Sequence, residues 1–184
     1  MAFFSPAEGI GLVNQTTMAH LQELASRVST TGLVCAAELS RSRPQWESWI
    51  VASTKRRAIY TMYLFNSIFN TVNSVPVYIA EELRGLPAPA SKVLWEACTR
   101  SIWEREYDHH LSIWEGEELY ISELWRSPET GSPERRKRID RWVQSVDEFG
   151  MMMFAVYREY ELGEMNGPDR SIRSVGVKPF VYLV

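Results

Sequence analysis

The longest uninterrupted hydrophobic pattern in the chain covers residues 45–72 and contains neither glycine nor proline. Apolar side chains recur there every three or four positions, which is the period of an α-helix. Pro44, a residue that suits the first turn of a helix, precedes this stretch, and the sequence NSVP follows it. The pattern therefore predicts one long central helix.

Shorter patterns of the same period lie on both sides of this helix, and no stretch alternates as a strand would. The predicted helical ranges are 16–28, 33–39, 91–114, 117–125 and 132–154. Capping residues such as Ser91 and Ser132 stand at two of the starts. The sequence thus predicts an all-α fold, an irregular multi-helix bundle. In this reading residues 1–15 are a flexible lead-in, 16–155 the helical domain and 156–184 a loosely ordered tail.

Size and charge limit the classes of function. A chain of 184 residues with 45% hydrophobic content is long enough for one domain with its own core. The net charge of −3 gives no general attraction to nucleic acid, so DNA contact would need a local basic patch. Cys35 and Cys98 stand among apolar or small residues, which predicts buried free thiols and a reducing compartment. No apolar window is long enough to predict a membrane span.

Three consecutive basic residues, Lys55, Arg56 and Arg57, interrupt the centre of the long helix. At about 100° per residue, Arg57 points into the aromatic face, Lys55 points away from it and Arg56 lies at the flank. A buried guanidinium needs a carboxylate or several carbonyls around it. The acidic candidates for Arg57 are Glu96, Asp147 and Glu148. Of these pairs, Arg57 with Glu96 is the predicted structural ion pair.

A set of motifs follows in order along the chain: WxxWI, KRR before an apolar run, LP, LWEA and IW. Its defining residues are Trp46, Trp49, Arg56, Arg57, Leu86, Pro87, Leu94, Trp95 and Trp103. In order and spacing, over about residues 16–154, this set resembles the C-terminal regulatory domain of fungal transcription factors. Full-length members of that family carry an N-terminal binuclear zinc cluster with six cysteines. Where the family has a glutamate, this chain has Ser53, which moves the pairing of Arg57 to another helix.

The resemblance implies a nuclear, transcription-related regulatory domain that is not an enzyme and holds no cofactor. Its expected partners are proteins of the transcription machinery or a related full-length factor, with a small-molecule effector as a further expectation. Two cysteines cannot build a six-cysteine zinc cluster, so direct DNA binding is not expected from this chain. The resemblance ends after Phe154, which is consistent with a truncated or mis-spliced product.

A run of basic residues marks the start of the last predicted helix. Its members are Arg135, Arg136, Lys137, Arg138 and Arg141. Such a run is typical of a nuclear-localisation signal or a nucleic-acid contact, and equally of a solvated helix face. The interleaved Glu134 and Asp140 favour the solvated face.

Two other features carry alternatives. Glu106, His109 and His110 have the spacing of ligands in a helical-bundle metal protein or enzyme, although a second such pair is missing from the sequence. A surface role is the simpler interpretation. The tryptophans on the apolar stripes are predicted to be core, and the alternative is an apolar ligand cavity near Trp46, Trp95 and Trp103.

Overall fold

The predicted all-α fold is confirmed by a computed structural model that describes residues 15–29, 32–74, 81–114, 116–124 and 131–166. These ranges contain eight α-helices and one 3₁₀ turn, and no strand. The helices are α1 (Gln15–Ser29), α2 (Ala36–Leu39), α3 (Trp46–Val72), α4 (Lys92–Trp95), α5 (Arg100–Ile113), α6 (Ile121–Leu124), α7 (Pro133–Ser145) and α8 (Glu148–Asn166), and the 3₁₀ turn is Glu81–Leu83. None of these helices combines the length and the apolar character needed to cross a membrane.

The long helix α3 has the predicted extent and organises the core along one side. Its buried side chains contribute to two hydrophobic clusters. The larger cluster joins Tyr60 and Leu64 of α3 to Ile121, Met153 and Tyr157. The smaller cluster contains Trp49, Leu94, Trp103 and Tyr107. Both clusters therefore depend on side chains that α3 supplies from successive turns.

Two predicted helices are each broken in two, and in both cases a side chain caps the second piece. Thr99 accepts a hydrogen bond from the backbone N–H of Ile102 at 3.3 Å, which starts α5 anew after α4. Asp147 accepts one from the N–H of Gly150 at 3.1 Å, which starts α8 after α7. The prediction of two continuous helices, 91–114 and 132–154, was wrong. The apolar pattern continues across both breaks, so the pattern alone does not reveal them.

The turn between α7 and α8 is unusually close. A Cβ atom added to Gly150 would lie 2.0 Å from Cγ2 of Val146, well inside van der Waals contact. Val146 has an extended backbone and forms an isolated bridge with Ser91. Packing, rather than an unusual backbone angle, therefore requires glycine at position 150.

Other boundaries also differ from the predictions. Helix α8 continues to Asn166, past the predicted end at Phe154, and the remaining predicted lead-in and tail, residues 1–14 and 167–184, lie outside the described residues. The prediction of two buried thiols was wrong, because Cys35 is half-buried and Cys98 is exposed. A short residue at a helix end is easily exposed even when its sequence neighbours are apolar.

Candidate functional site

Arg56, predicted to lie at the flank of α3, is the most buried of the three basic residues, with only 4% of its surface exposed. Its Nη1 and Nη2 atoms donate to the two carboxylate oxygens of Glu38 at 3.1 and 2.8 Å. Nη1 also donates to the carbonyl oxygen of Leu33 at 2.6 Å, and the N–H of Cys35 donates to Glu38 Oε2 at 2.7 Å. This bidentate pair fixes α2 and the loop before it against α3.

The Arg56–Glu38 pair shifts the pKa values of Arg56 and of the neighbouring Cys35. Burial, the largest single cause, lowers the pKa of Arg56, but the charge and hydrogen bonds of Glu38, with smaller contributions from Tyr60 and Cys35, together outweigh it, so the pKa is raised. Burial, reinforced by Glu38, raises the pKa of the Cys35 thiol to about 11. Near neutral pH Cys35 is therefore protonated, which makes it a poor nucleophile and a poor metal ligand.

Arg57 has an acidic partner, and that partner is Asp147. Nη2 of Arg57 donates to Asp147 Oδ2 at 2.7 Å, while the guanidinium carbon lies 3.9 Å from the ring centre of Trp95 and 5.0 Å from that of Phe149. The predicted pair with Glu96 is wrong. Glu96 is exposed at the C-terminal end of α4, where its carboxylate lies 3.9 Å from Lys92 Nζ.

The position where the resembled family has a glutamate bears on this choice. Ser53 is buried and donates its hydroxyl hydrogen to the carbonyl oxygen of Ile50 at 3.2 Å. A glutamate would have offered Arg57 a partner one turn away on the same helix. With a serine at position 53, Arg57 pairs instead with Asp147, and this pair ties α3 to the start of α8.

The predicted basic patch is largely used inside the fold. Arg135 donates to the carbonyl oxygens of Ser122 and Glu123 at 2.6 and 2.7 Å. Arg138 donates to the Glu123 carboxylate at 2.8 Å and to the carbonyl oxygens of residues 117 and 118, both at 3.1 Å. Both arginines therefore bind the loop and short helix that precede α7, and they do not project freely into solvent.

A third arginine of that run works in the same way on α5. Arg141 Nη1 donates to the carbonyl oxygen of Ile113 at 2.8 Å, and Arg41 Nη2 donates to that of Trp114 at 2.9 Å. Positive charge at these last carbonyls also complements the dipole of the helix. Of the five basic residues, only Arg136 and Lys137 have mostly exposed side chains.

A small cavity lies beside the Arg56–Glu38 pair. Its volume is about 50 Å³. Its lining includes the polar side chains of Glu38, Arg56, His110 and Glu118 and the rings of Trp49 and Trp142. Such a space holds a few water molecules, whereas pockets for small ligands measure roughly 300–1,000 Å³. The ligand cavity predicted near Trp46, Trp95 and Trp103 does not coincide with it, because none of these three side chains lines it.

The candidate metal ligands do not converge. His110 faces Glu118, with Nε2 3.1 Å from Oε1, and its ring stacks on Trp114. Glu106 instead accepts hydrogen bonds from Arg105, and His109 is exposed. Within the described ranges, no group of three or more His, Cys, Asp or Glu side chains is close enough to hold a metal ion.

The residues that carry the family resemblance gather around α3. Trp49, Leu94 and Trp103 form the smaller cluster, with Trp46 and Trp95 packed against it. Leu86 and Pro87 are buried, and the hydroxyl of Tyr60 donates to the Pro87 carbonyl oxygen at 2.6 Å.

The sequence interpretation missed two anchors, Glu38 and the capping role of Asp147. A lone carboxylate in the apolar segment LVCAAEL was the signal for the first, and an aspartate three residues before a helical N–H was the signal for the second. Comparisons with protein-family models, with curated proteins and with solved structures found no match to this chain.

Proposed function

We propose that the chain is a regulatory domain of the fungal transcription-factor type, which acts in the nucleus through protein partners and does not contact DNA directly. The observation that carries the proposal is the engagement of its basic side chains. Arg56, Arg57, Arg135, Arg138 and Arg141 all bind carboxylates or carbonyl oxygens of the same chain. A DNA-binding surface needs such groups free to neutralise phosphates.

Two further observations support protein partners. The motif residues of the resemblance pack around one helix, which is consistent with a shared domain core rather than with a catalytic site. The cavity beside Arg56 is too small for an organic effector, at about 50 Å³. That cavity therefore gives no support to a small-molecule effector, and the proposed partner is a protein of the transcription machinery or a related full-length factor.

A reporter assay tests the regulatory part of the proposal. The chain is fused to an unrelated DNA-binding domain in a fungal strain with a matching reporter gene. We expect the reporter output to rise or fall at least threefold relative to the DNA-binding domain alone. A Glu38→Ala fusion, in which the buried pair is broken, serves as the control for folding and should lose the effect. Unchanged output from the wild-type fusion at equal nuclear abundance would overturn the proposal.

Fluorescence anisotropy tests the absence of DNA contact. Labelled duplex DNA of random sequence is titrated with the purified chain at physiological salt. We expect binding weaker than about 10⁻⁴ M, at or below the weak end of non-specific proteins. The matched variant Arg136→Ala/Lys137→Ala removes the exposed basic pair and should behave like the wild type. Binding tighter than about 10⁻⁶ M that this variant abolishes would contradict the proposal.

A further inference from the structure

The outer face of α3 carries a pattern that the core does not use. Seven residues repeat there at alternating spacings of three and four, which is the a and d repeat of a coiled-coil seam. They are Val51, Thr54, Ala58, Thr61, Phe65, Ile68 and Val72. All seven are exposed, and Val51, Ile68 and Val72 each leave 52% of their surface accessible.

The opposite positions of the same repeat confirm the register. The residues at positions b, c and f, which face solvent in an ordinary coiled coil, are here the ones that face the core. Those buried at these positions along the seam are Ala52, Ser53, Arg56, Ile59, Tyr60, Tyr63 and Ser67, and Leu64 at position g is buried as well. The helix is therefore two-sided: one side builds the domain, and the other presents a seam about 30 Å long that the described part of the chain leaves uncovered.

The seam is uncharged, and the hydroxyl of Thr61 near its centre already has a partner. No aspartate or glutamate occurs between Ser48 and Asn73, so no acidic group lies along the seam. The hydroxyl of Thr61 donates to the carbonyl oxygen of Arg57 at 2.9 Å. Its methyl group is thereby free to pack against a partner without leaving a buried hydroxyl unsatisfied.

We propose that this face of α3 binds the same face of a second copy of the chain, in an antiparallel helix pair. Small residues stand in the first half of the seam and large ones in the second half. Antiparallel pairing sets Ala58 opposite Ile68 and Thr61 opposite Phe65, so each layer combines a small side chain with a large one. Parallel pairing would set Phe65 against Phe65 and Ala58 against Ala58, which fills the layers unevenly.

Charge and area agree with this arrangement. The antiparallel pairing separates the two Lys55 side chains by about 24 Å along the axis, beyond the distance at which salt screens their repulsion. In this pairing Val51 lies beyond the end of the partner helix, and the other six seam residues of each helix remove on the order of 1,000 Å² from water, the lower limit for a specific interface. We therefore expect a reversible homodimer. A role of this dimer in regulation rests on the proposed function. Dimerisation of the purified chain does not depend on it.

Sedimentation velocity on the purified full chain tests the association. Across about 1–300 μM, a range that brackets weak interfaces, the mass should rise from 21.3 kDa toward twice that value. Ile68→Glu should weaken dimerisation at least tenfold while keeping the circular dichroism melt of the wild type. The matched control is Val93→Glu on α4, whose valine is similarly exposed at 58% and lies off the seam. A wild type that stays monomeric, or equal behaviour of the two variants, overturns the proposal.

Cysteine cross-linking tests the orientation in a Cys98→Ser background. Chains carrying Ala58→Cys are mixed with chains carrying Ile68→Cys and oxidised, and disulfide-linked pairs are identified by mass. Antiparallel pairing predicts mixed pairs and almost no Ala58→Cys homodimer, while dominant Ala58→Cys homodimers contradict it. Because these measurements use purified protein, their failure leaves the reporter result intact, and a failed reporter assay leaves the dimer intact.

Discussion

Arg56 and Arg57 are neighbours in the sequence, yet they anchor opposite parts of the chain to the same helix. Arg56 binds Glu38, which precedes α3, and Arg57 binds Asp147, which lies 90 residues after Arg57 in the chain. Consecutive residues of a helix point about 100° apart, so one dipeptide reaches two different faces. Arg56 and Arg57 therefore attach two separate segments of the chain, one before α3 and one after it, to the same helix.

The two anchors differ in how they satisfy the charge. Arg56 is enclosed, and its donors go to one carboxylate and one carbonyl oxygen. Arg57 makes one charged hydrogen bond and lies over the ring of Trp95, with side chains of the pair still 14% and 8% exposed. Loss of the carboxylate should be more costly at the first anchor, where only the Leu33 carbonyl oxygen remains to interact with the charge, than at the second, where two aromatic rings and partial exposure to water compensate it.

The largest expected effect follows from breaking the enclosed pair. Glu38→Ala leaves the Arg56 guanidinium buried without a carboxylate, which should lower the free energy of unfolding by about 3–5 kcal/mol. Urea denaturation followed by circular dichroism measures it. The double variant Glu38→Leu/Arg56→Met removes both charges and should recover most of the loss. If the double variant is no more stable than Glu38→Ala, the penalty does not come from the unpaired charge.

Asp147 has two separable roles, and two substitutions divide them. Asp147→Asn keeps an oxygen for the Gly150 N–H but loses the ion pair with Arg57, so we expect a loss of about 1–2 kcal/mol. Asp147→Ala also loses the helix cap, which adds about 1 kcal/mol. The same denaturation experiment compares them. Equal stability of the two variants would mean that the cap contributes nothing.

Gly150 tests whether the second anchor depends on a close turn. Gly150→Ala forces the new methyl group against Val146 and should cost about 1–2 kcal/mol, because either the turn or the side chain has to move. In Val146→Ala/Gly150→Ala the obstructing methyl groups are gone. The two substitutions should therefore cost less together than the sum of their separate effects in thermal denaturation. Strict additivity would contradict the contact.

The smallest effect is a chemical one and distinguishes the anchors without unfolding the protein. Burial and the Glu38 carboxylate hold the Cys35 thiol at a raised pKa of about 11. Glu38→Gln removes the negative charge, so that pKa should fall and iodoacetamide labelling of Cys35 at pH 8 should become faster. The exposed Cys98 is the internal reference, and Asp147→Asn is the control. Mass spectrometry measures the labelling of both cysteines. A faster Cys35 reaction in the control would contradict the assignment of the effect to the Glu38 charge.

The all-α class and the extent of α3 could be predicted because both follow from local periodicity. The breaks at Thr99 and Asp147 could not be predicted by that route, since a cap interrupts the backbone without interrupting the apolar pattern. The need of Arg57 for an acidic partner followed from the cost of burying charge. Its choice of Asp147 over Glu96 depended on the turn between α7 and α8, which is a tertiary feature.

Arg56 shows the limit of a helical projection. A projection ranks faces by apolar content, and it placed Arg56 at the flank of a single buried face. In the structure α3 is covered on a broad side, by α2 and its loop as well as by α8, so a flank position is enclosed. The arginines of α7 were ambiguous for a related reason. Arg135 and Arg138 donate to backbone carbonyl oxygens, and no residue type in the sequence indicates which carbonyl oxygens lack a donor. From the sequence, these arginines therefore resemble a surface patch.

Hydrogen exchange with mass spectrometry on the wild type, Glu38→Gln and Asp147→Asn tests most directly whether the two arginines are separate structural anchors. We expect Glu38→Gln to speed exchange in residues 33–42 while the start of α8 keeps its protection. Asp147→Asn should do the reverse and speed exchange in residues 147–153 alone. If both variants lose protection in the same segments, or neither loses any, the basic residues of α3 do not hold these two parts of the protein in place.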